Sequence, residues 1–316
     1  MALKQILTAD AFVLAPHFLL PASAYIANEY LDSCVKAMHY VALHIATIIQ
    51  PPSLTAMSNS LINYERLQLH QDEIKAQWND VKKPFHYLVY DNFFTPEAAE
   101  RLLAAYPDVT TGNWDGTTYI NQKNKFALTK FGAEHPLLQN AFDELNSEKF
   151  LHVVEDITGI PSLVGDDELF GGGLHQSVTG AFLDVHVDFN YHQTTRHHRR
   201  MNAIVYMNKD WQQEYNGYLE LWDMKTKKQL ENIAPLFNRC VIFETNEVSY
   251  HGHPKPLAAP GGLTRKSMAV YYYTTERPAH EITGEHNTVY VNTEGTGGLF
   301  KNLKSGLKAA VERVRK

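Results

Sequence analysis

The second half of the chain contains a series of short apolar segments separated by turn residues, and this pattern constrains the fold most. From about residue 163, runs rich in aromatic and β-branched residues alternate with Gly, Asn and Asp. The clearest runs are Phe182 to Val187, Ala203 to Met207, Tyr218 to Trp222, Cys240 to Phe243 and Ser267 to Tyr273. Short strands at such spacing are typical of an all-β sandwich or barrel.

The region before these strands carries helix signals. Thr95 is suited to an N-cap, Pro96 follows at the first helical position, and Glu97 and Glu100 favour the first turns. Further helices are predicted at 63–78 and, as a pair, at 136–157, and a strand is predicted at 85–90. Helices that precede a set of strands indicate an α+β protein in which helices pack against a β-core.

Composition excludes several classes of protein. Apolar residues make up 44% of the chain and the formal net charge is −6, which favours a globular core and gives no basic footprint for nucleic acid. Two cysteines, Cys34 and Cys240, are too few for a disulfide framework and fit a cytoplasmic protein. The apolar stretch Tyr40 to Ile49 is too short to span a membrane, because a spanning helix needs about 20 residues.

Four regions are predicted along the chain. An N-terminal extension of uncertain structure covers 1–56, a helical and mixed supporting region covers 57–165, the β-core covers 166–280, and a C-terminal extension covers 281–316. The last of these ends in a basic amphipathic helix from about residue 298. That helix either packs on its own domain or on a homodimer mate, or it forms a surface attracted to anionic lipid or nucleic acid.

One strand-like segment presents a candidate metal site. His186 and Asp188 are two residues apart, so in a strand their side chains point to the same side. His251, which follows the apolar run at 241–243, is the best candidate for a third ligand. Two histidines and one carboxylate suit a non-haem iron centre. The pattern alone is weak, because the chain has sixteen histidines.

Arg265 adds a second feature to the candidate site. It opens the aromatic strand predicted at 267–273, shortly after His251. A guanidinium on a core strand can hold a carboxylate through two parallel hydrogen bonds. The alternative is an ordinary surface arginine beside Lys266.

The order His-x-Asp, distal His and Arg-x-Ser before an aromatic strand resembles the prolyl 4-hydroxylase-like branch of the iron(II)/2-oxoglutarate-dependent dioxygenases. Three further segments are similar to that family. They are 202–211, like its Tyr-Leu-Asn-x-x-Trp strand, 216–222, like its Gly-Gly-x-Leu strand with Asn216 in place of the first Gly, and 233–239, like its turn before the distal His. The resemblance is strong over 170–278 and weak over 80–170.

The resemblance implies a double-stranded β-helix, or jelly roll, flanked by N-terminal helices. It implies that His186, Asp188 and His251 bind Fe(II), and that Arg265 binds the distal carboxylate of 2-oxoglutarate. Tyr206 and Ser267 fall where relatives contact this cosubstrate. Gln176 stands where many relatives carry another cosubstrate-binding tyrosine. Ascorbate is a candidate reductant.

The implied reaction is hydroxylation of an unactivated C–H bond, with dioxygen consumed and succinate and CO2 released. The expected substrate is amino-acid-like or a peptidyl residue of the proline type. The alternatives are an oxygenase that tailors a small metabolite and a metal-binding jelly roll that acts as a sensor or scaffold; a zinc hydrolase is a weaker third option. The basic and aromatic stretch 189–200 either lies at the mouth of the site, where it could receive an anionic substrate, or is a solvated connection.

Overall fold

A computed structural model describes residues 60–111, 113–131 and 134–293 of the protein. Within these residues all α-helices end before residue 160, and eight of the strands follow them. Five α-helices are formed: α1 Tyr64–Leu69, α2 Gln71–Trp78, α3 Pro96–Ala104, α4 Pro136–Leu145 and α5 Glu148–Thr158. The helix predicted over 63–78 is interrupted at His70. The 1–56 extension and the basic helix from 298 lie outside the described residues.

The helix ends follow the local chemistry of the sequence. The Thr95 hydroxyl accepts a hydrogen bond from the backbone N–H of Ala98, and Pro96 occupies the first turn of α3, as predicted. Ser147 caps α5 in the same way, through the backbone N–H of Phe150. Helix α5 ends at Gly159, which adopts a left-handed conformation with φ of 71°.

Eleven strands are formed by the described residues: β1 Tyr87–Asp91, β2 Asp115–Tyr119, β3 Gln122–Leu128, β4 Gly173–Val187, β5 His198–Tyr206, β6 Leu219–Asp223, β7 Lys228–Ile233, β8 Arg239–Glu244, β9 Tyr250–His253, β10 Arg265–Thr274 and β11 Val289–Tyr290. All pairs are antiparallel. The five runs predicted in the second half of the chain each lie on one of these strands.

The strands form one antiparallel sheet in the order β1-β8-β5-β10-β4-β9-β6-β7, to which β3 and β11 are added at β4 and β2 at β3. The two parts that meet at β4 are here called the first sheet, β1-β8-β5-β10-β4, and the second sheet, β4-β9-β6-β7. Residues 173–177 of β4 pair with β10, whereas Leu183 and His186 pair with β9. One long strand therefore contributes to both sheets, and the predicted jelly-roll fold is confirmed.

The close approach of β9 to β4 depends on Gly252. A Cβ at this position would lie 2.8 Å from the carbonyl oxygen of Leu183 and 2.9 Å from that of Asp184. Real Cβ atoms do not come this near to backbone oxygen, so a side chain here would push the two strands apart. The glycine thus keeps His251, its neighbour in β9, against β4.

The two faces of the first sheet have different partners. Side chains of its outer face, including Val205 and Met268, belong to the same core as the helices. Side chains of its inner face, including Tyr206 and Phe243, pack instead against Leu219 and Leu221 of the second sheet. Alternation along each strand produces this division, and burial of each large apolar side chain contributes about 1.5–3 kcal/mol.

Two smaller expectations can be compared with the structure. Cys240 is buried on the outer face of the first sheet, as its apolar surroundings predict. Within the described ranges, no helix has the length and apolar character required to cross a membrane. The predicted boundaries of the four regions stay predictions.

Candidate active site

The three predicted metal ligands meet between the two sheets. His186 and Asp188 lie at the end of β4, and His251 lies on β9 directly opposite His186. The Nε2 atoms of His186 and His251 are 3.6 and 3.5 Å from the carboxylate oxygens of Asp188. The candidate ligand atoms all lie within 4.8 Å of one another, and all three residues are buried.

Both imidazoles are oriented by backbone carbonyls. The Nδ1 of His186 lies 2.8 Å from the carbonyl oxygen of Asp184, and the Nδ1 of His251 lies 2.9 Å from that of Ser249. A carbonyl oxygen can only accept, so each Nδ1 carries the proton and each Nε2 directs its lone pair towards the centre. This donor set, two imidazole nitrogens and one carboxylate, fits a divalent iron ion.

The electrostatic surroundings keep these groups in the forms that bind metal. Burial, reinforced by nearby His186, lowers the pKa of His251 to about 4 and leaves the imidazole neutral. Burial alone would raise the pKa of Asp188, but the Arg199 guanidinium and the two imidazoles outweigh it and hold that pKa well below its usual range. A neutral imidazole and an ionised carboxylate are the forms that ligate a metal.

Two residues of β5 hold the Asp188 carboxylate. Its Oδ2 accepts hydrogen bonds from Arg199 Nη2 at 3.0 Å and from Asn202 Nδ2 at 2.7 Å. The Arg199 guanidinium lies between the rings of Phe189 and Tyr271, with its carbon 4.3 and 3.6 Å from their centroids. Arg199 and Asn202 therefore position this carboxylate, a role that sequence analysis missed because no local spacing links them to Asp188.

Arg265 lies in the same cavity with part of its hydrogen-bonding capacity unused. Its Nε donates to the carbonyl oxygen of Gly217 at 2.6 Å, and its Nη2 donates to the Tyr206 hydroxyl at 3.2 Å. No carboxylate of the described residues is within ion-pair distance, although only 7% of Arg265 is exposed. A buried guanidinium in this state is suited to bind a carboxylate from outside the protein.

Tyr206 and Ser267 accompany Arg265. The two residues face each other across β5 and β10, and both line the cavity. Burial raises the pKa of Tyr206, while the Arg265 guanidinium acts in the opposite direction. The phenol keeps its proton and can donate it to a bound carboxylate while accepting from Arg265.

Gln176 does not reach this cavity, contrary to the sequence prediction. Its amide nitrogen donates to the carbonyl of Pro107 at 2.7 Å, and its amide oxygen accepts from the Thr264 hydroxyl at 2.7 Å. Its neighbours His175 and Ser177 line the cavity instead. The pairing register shifts between Leu183 and His186, so inward-facing positions change from odd-numbered to even-numbered residues. Gln176, the position ten residues before His186, therefore faces away from the cavity.

The stretch 189–200 is divided between cavity and surface. Phe189 and Arg199 line the cavity, whereas 193–196 are exposed. His192 is a structural residue, because it is 2% exposed, lies 3.4 Å from the Asp166 carboxylate, and accepts from the backbone N–H groups of Thr194 and Thr195.

Trp222 does not line the cavity and is half-buried. Its indole N–H donates to the Glu220 carboxylate at 2.9 Å. This contact gives Trp222 a packing role on the second sheet, away from the metal-site cavity.

The remaining wall of the cavity includes residues that sequence analysis did not single out. Lys125 of β3, His175 of β4 and Tyr290 of β11 all line it. Strand β11 pairs with β4 at His186 and Val187, and the Tyr290 ring centroid is 5.3 Å from that of His186. His253 also lines the cavity, two residues after His251, but it is not part of the metal-ligand cluster.

Residues 172–273, which contain the whole of this constellation, match the family model described as the 2OG-Fe(II) oxygenase superfamily. The matched segment belongs to that superfamily, and the protein is a 2-oxoglutarate-dependent dioxygenase with Fe(II) and 2-oxoglutarate as its cofactors. A search of curated protein sequences gives no match.

Several solved structures resemble the chain weakly. A prolyl-4-hydroxylase from Pseudomonas putida is 17% identical, with 64% of this chain and 98% of that chain covered and a TM-score of 0.45. A prolyl 4-hydroxylase from Phytophthora capsici is 18% identical, with 71% of this chain and 69% of that chain covered and a TM-score of 0.49. HygX from Streptomyces hygroscopicus, solved with nickel, 2-oxoglutarate and hygromycin B bound, is 13% identical, with 65% of this chain and 94% of that chain covered and a TM-score of 0.42.

Gly217 shapes the Arg265 site, and a substitution there should be costly. It has φ of 73°, and an added Cβ would lie 2.2 Å from Leu257 Cδ2 and 3.1 Å from Arg265 Cδ. We expect Gly217→Ala to destabilise the protein by about 1–3 kcal/mol through overpacking and backbone strain. Thermal unfolding of purified protein measures the effect.

Gly262→Ala is the matched control for this prediction. Gly262 also has a positive φ, 86°, but an added Cβ there would meet nothing within 4 Å. The control therefore measures only the free-energy cost of placing an alanine at a positive φ, without any crowding of the added Cβ. Equal destabilisation by the two substitutions would mean that the crowding around Gly217 contributes nothing.

Proposed function

We propose that His186, Asp188 and His251 bind the iron of this dioxygenase and that Arg265, with Tyr206 and Ser267, binds the distal carboxylate of 2-oxoglutarate. The observation that carries the proposal is the burial of Arg265 without a carboxylate partner among the described residues, in the same cavity as the three candidate iron ligands. A cavity that only held a metal would not require a second buried cation of this kind.

The residues of the chain would act by binding and orientation. With iron and 2-oxoglutarate bound, the chemistry available is oxidative decarboxylation of the cosubstrate coupled to hydroxylation of a C–H bond, which releases succinate and CO2. Ser249 and Asp184 fix the two imidazoles through their carbonyls, and Arg199 fixes the carboxylate. The Arg265 guanidinium would set the direction in which the cosubstrate extends from the metal.

The retained carboxylate at Asp188 favours hydroxylation. Related halogenases lack this ligand, which leaves a position on the metal for halide. The buried hydrogen bonds from Arg199 and Asn202 hold the Asp188 carboxylate in place. We propose an amino-acid-like or peptidyl substrate of the proline type; the second candidate, supported by the charged side chains that line the cavity, is a small metabolite.

Anaerobic addition of iron and 2-oxoglutarate tests the cofactor proposal directly. We expect a weak visible charge-transfer band that requires both components. In air, pools of peptides and of small metabolites are then compared by succinate release and by a gain of one oxygen in the product mass. A protein that gives neither the band nor any succinate with iron and ascorbate present would instead support the sensor or scaffold alternative.

A further inference from the structure

The cavity that holds the candidate metal site carries an excess of positive charge. Its described lining residues include three permanent or near-permanent cations, Lys125, Arg199 and Arg265, and a single carboxylate, Asp188. Arg199 is paired with Asp188 at 3.0 Å. The charges of Fe(II) and of the 2-oxoglutarate dianion cancel, so both cofactors together leave the excess unchanged. Charges in enclosed sites are costly unless they are paired.

Lys125 is the cation for which the cofactors provide no partner. In the strand ladder it lies opposite Ser177 of β4, and Ser177 lies opposite Arg265 of β10 on its other side. Residues directly opposite one another point to the same face, and two strand spacings are about 10 Å. Lys125 and Arg265 therefore lie on the same face of the sheet, with Ser177 between them.

The surroundings of Lys125 contain no counter-charge at contact distance. No carboxylate among the described residues is within ion-pair distance of its ammonium group. The charged and titratable groups that interact with it are Asp188, Arg265, Arg199, His175 and His253. Burial, together with the two arginines, lowers the pKa of Lys125 to about 8 against the opposing effect of Asp188, so the group is mostly charged at neutral pH.

Other polar atoms of the same wall also lack partners. Nη1 of Arg199 and Nε2 of His175 are buried without a hydrogen bond, and these residues are 1% and 8% exposed. Buried polar atoms in native proteins almost always have hydrogen-bond partners, so several buried atoms without a partner in one cavity indicate that a ligand binds there. Both residues line the cavity together with Lys125.

We propose that Lys125 forms a second carboxylate-binding subsite, and that its occupant is the free carboxylate of the primary substrate. This inference rests on the proposed function and makes the substrate a small free acid, such as an amino acid, in preference to an internal residue of a peptide. A charge-assisted hydrogen bond to Lys125 then selects and orients the substrate opposite the cosubstrate.

Competitive chemical labelling tests the subsite without relying on turnover. The anaerobic protein, loaded with iron and 2-oxoglutarate, is treated with a trace of acetic anhydride, and acetylation of Lys125 is quantified by peptide mass spectrometry. The probes are a mixture of free L-amino acids and short carboxylic acids, and the same mixture as primary amides. We expect the acids to slow labelling of Lys125 by about tenfold or more and the amides to have little effect.

Two outcomes of the labelling would overturn the proposal. Protection by 2-oxoglutarate alone would make Lys125 a cosubstrate contact, and equal labelling with and without the acid mixture would leave no substrate carboxylate at this position. Lys123, two residues away on β3 and exposed, is the internal control for reagent concentration. Its labelling should be the same in all samples.

Substitution provides the second measurement. Lys125→Met keeps the aliphatic stem but removes the charge, and we expect the increase in succinate release caused by the acid mixture to fall by about tenfold or more. Lys123→Met, at the exposed position, should behave as the unmodified protein does. A Lys125→Met protein that responds fully to the acids would refute the subsite.

The two proposals fail in different ways. If the unmodified protein lacks the charge-transfer band with iron and 2-oxoglutarate, the proposed function fails. If the band is present but Lys125→Met shifts the 2-oxoglutarate titration of that band, the function stands and the assignment of Lys125 to the substrate is wrong.

Discussion

Replacing His251 with Ala is expected to lower 2-oxoglutarate-dependent succinate formation by more than about 100-fold. Substitution of residues that merely support a metal ligand commonly reduces metal affinity or activity by 10–100-fold, so loss of a ligand should exceed that. His251 is the best ligand to remove, because the imidazole is neutral and its loss leaves no unpaired charge. The measurement is succinate release by purified, iron-loaded protein, together with bound iron per chain.

Asp188→Ala should have the same catalytic effect but a further cost in stability. The substitution leaves the guanidinium of Arg199, which is 1% exposed, without the Asp188 carboxylate with which it pairs. Breaking a buried ion pair from one side costs about 3–5 kcal/mol. Circular dichroism and thermal unfolding separate the two effects. Asp143→Ala, at an exposed position on α4, is the control.

Full succinate release by a folded His251→Ala protein would remove His251 from the ligand set.

Replacing Arg265 with Ala is expected to raise the 2-oxoglutarate concentration needed for half-saturation by about 100-fold or more. The loss of two charge-assisted hydrogen bonds, each contributing about 1.5–3 kcal/mol, accounts for this size. Arg265→Lys should recover only part of the affinity, because an ammonium cannot reproduce the planar fork that also contacts Gly217 and Tyr206.

The control for the Arg265 series is Arg101→Ala, at an exposed position on α3. Titration of the charge-transfer band with 2-oxoglutarate measures binding, and succinate release measures turnover. An Arg265→Ala titration that superimposes on that of the unmodified protein would falsify the cosubstrate role. A loss of turnover with unchanged 2-oxoglutarate binding would contradict it too, since it would assign Arg265 to a later step.

Much of the fold could be predicted from the sequence, because the jelly-roll strands alternate between two apolar environments. Within β5, residues 203–206 pack on the helices with one face and on the second sheet with the other, so this segment is apolar on both sides and distinct from the turns around it. The hairpin of β2 and β3 escaped prediction for the opposite reason. Most of its residues are polar, and Lys125 faces the cavity. Its apolar residues therefore recur neither every second residue, as in a half-buried strand, nor at the spacing of a helix.

The candidate site was predictable where a motif fixes side-chain direction over a short distance. His186 and Asp188 are two residues apart on one strand, and Arg265 and Ser267 likewise, so each pair shares a face. Gln176 was wrong because the count from His186 crosses the register shift after Leu183. Arg199, Asn202 and His175 could not be predicted, since their contacts depend on pairings between strands that are distant in the sequence.

The two-residue pairing of β11 with β4 has a consequence for how the protein matures. Tyr290 lines the cavity beside His186, although it follows the whole oxygenase segment in the chain. During synthesis, the ligands leave the ribosome well before this wall does. A nascent chain can therefore assemble its sheets while the iron pocket is still open on one side. We therefore expect the metal to have its widest access from the solvent in that interval, before β11 pairs with β4.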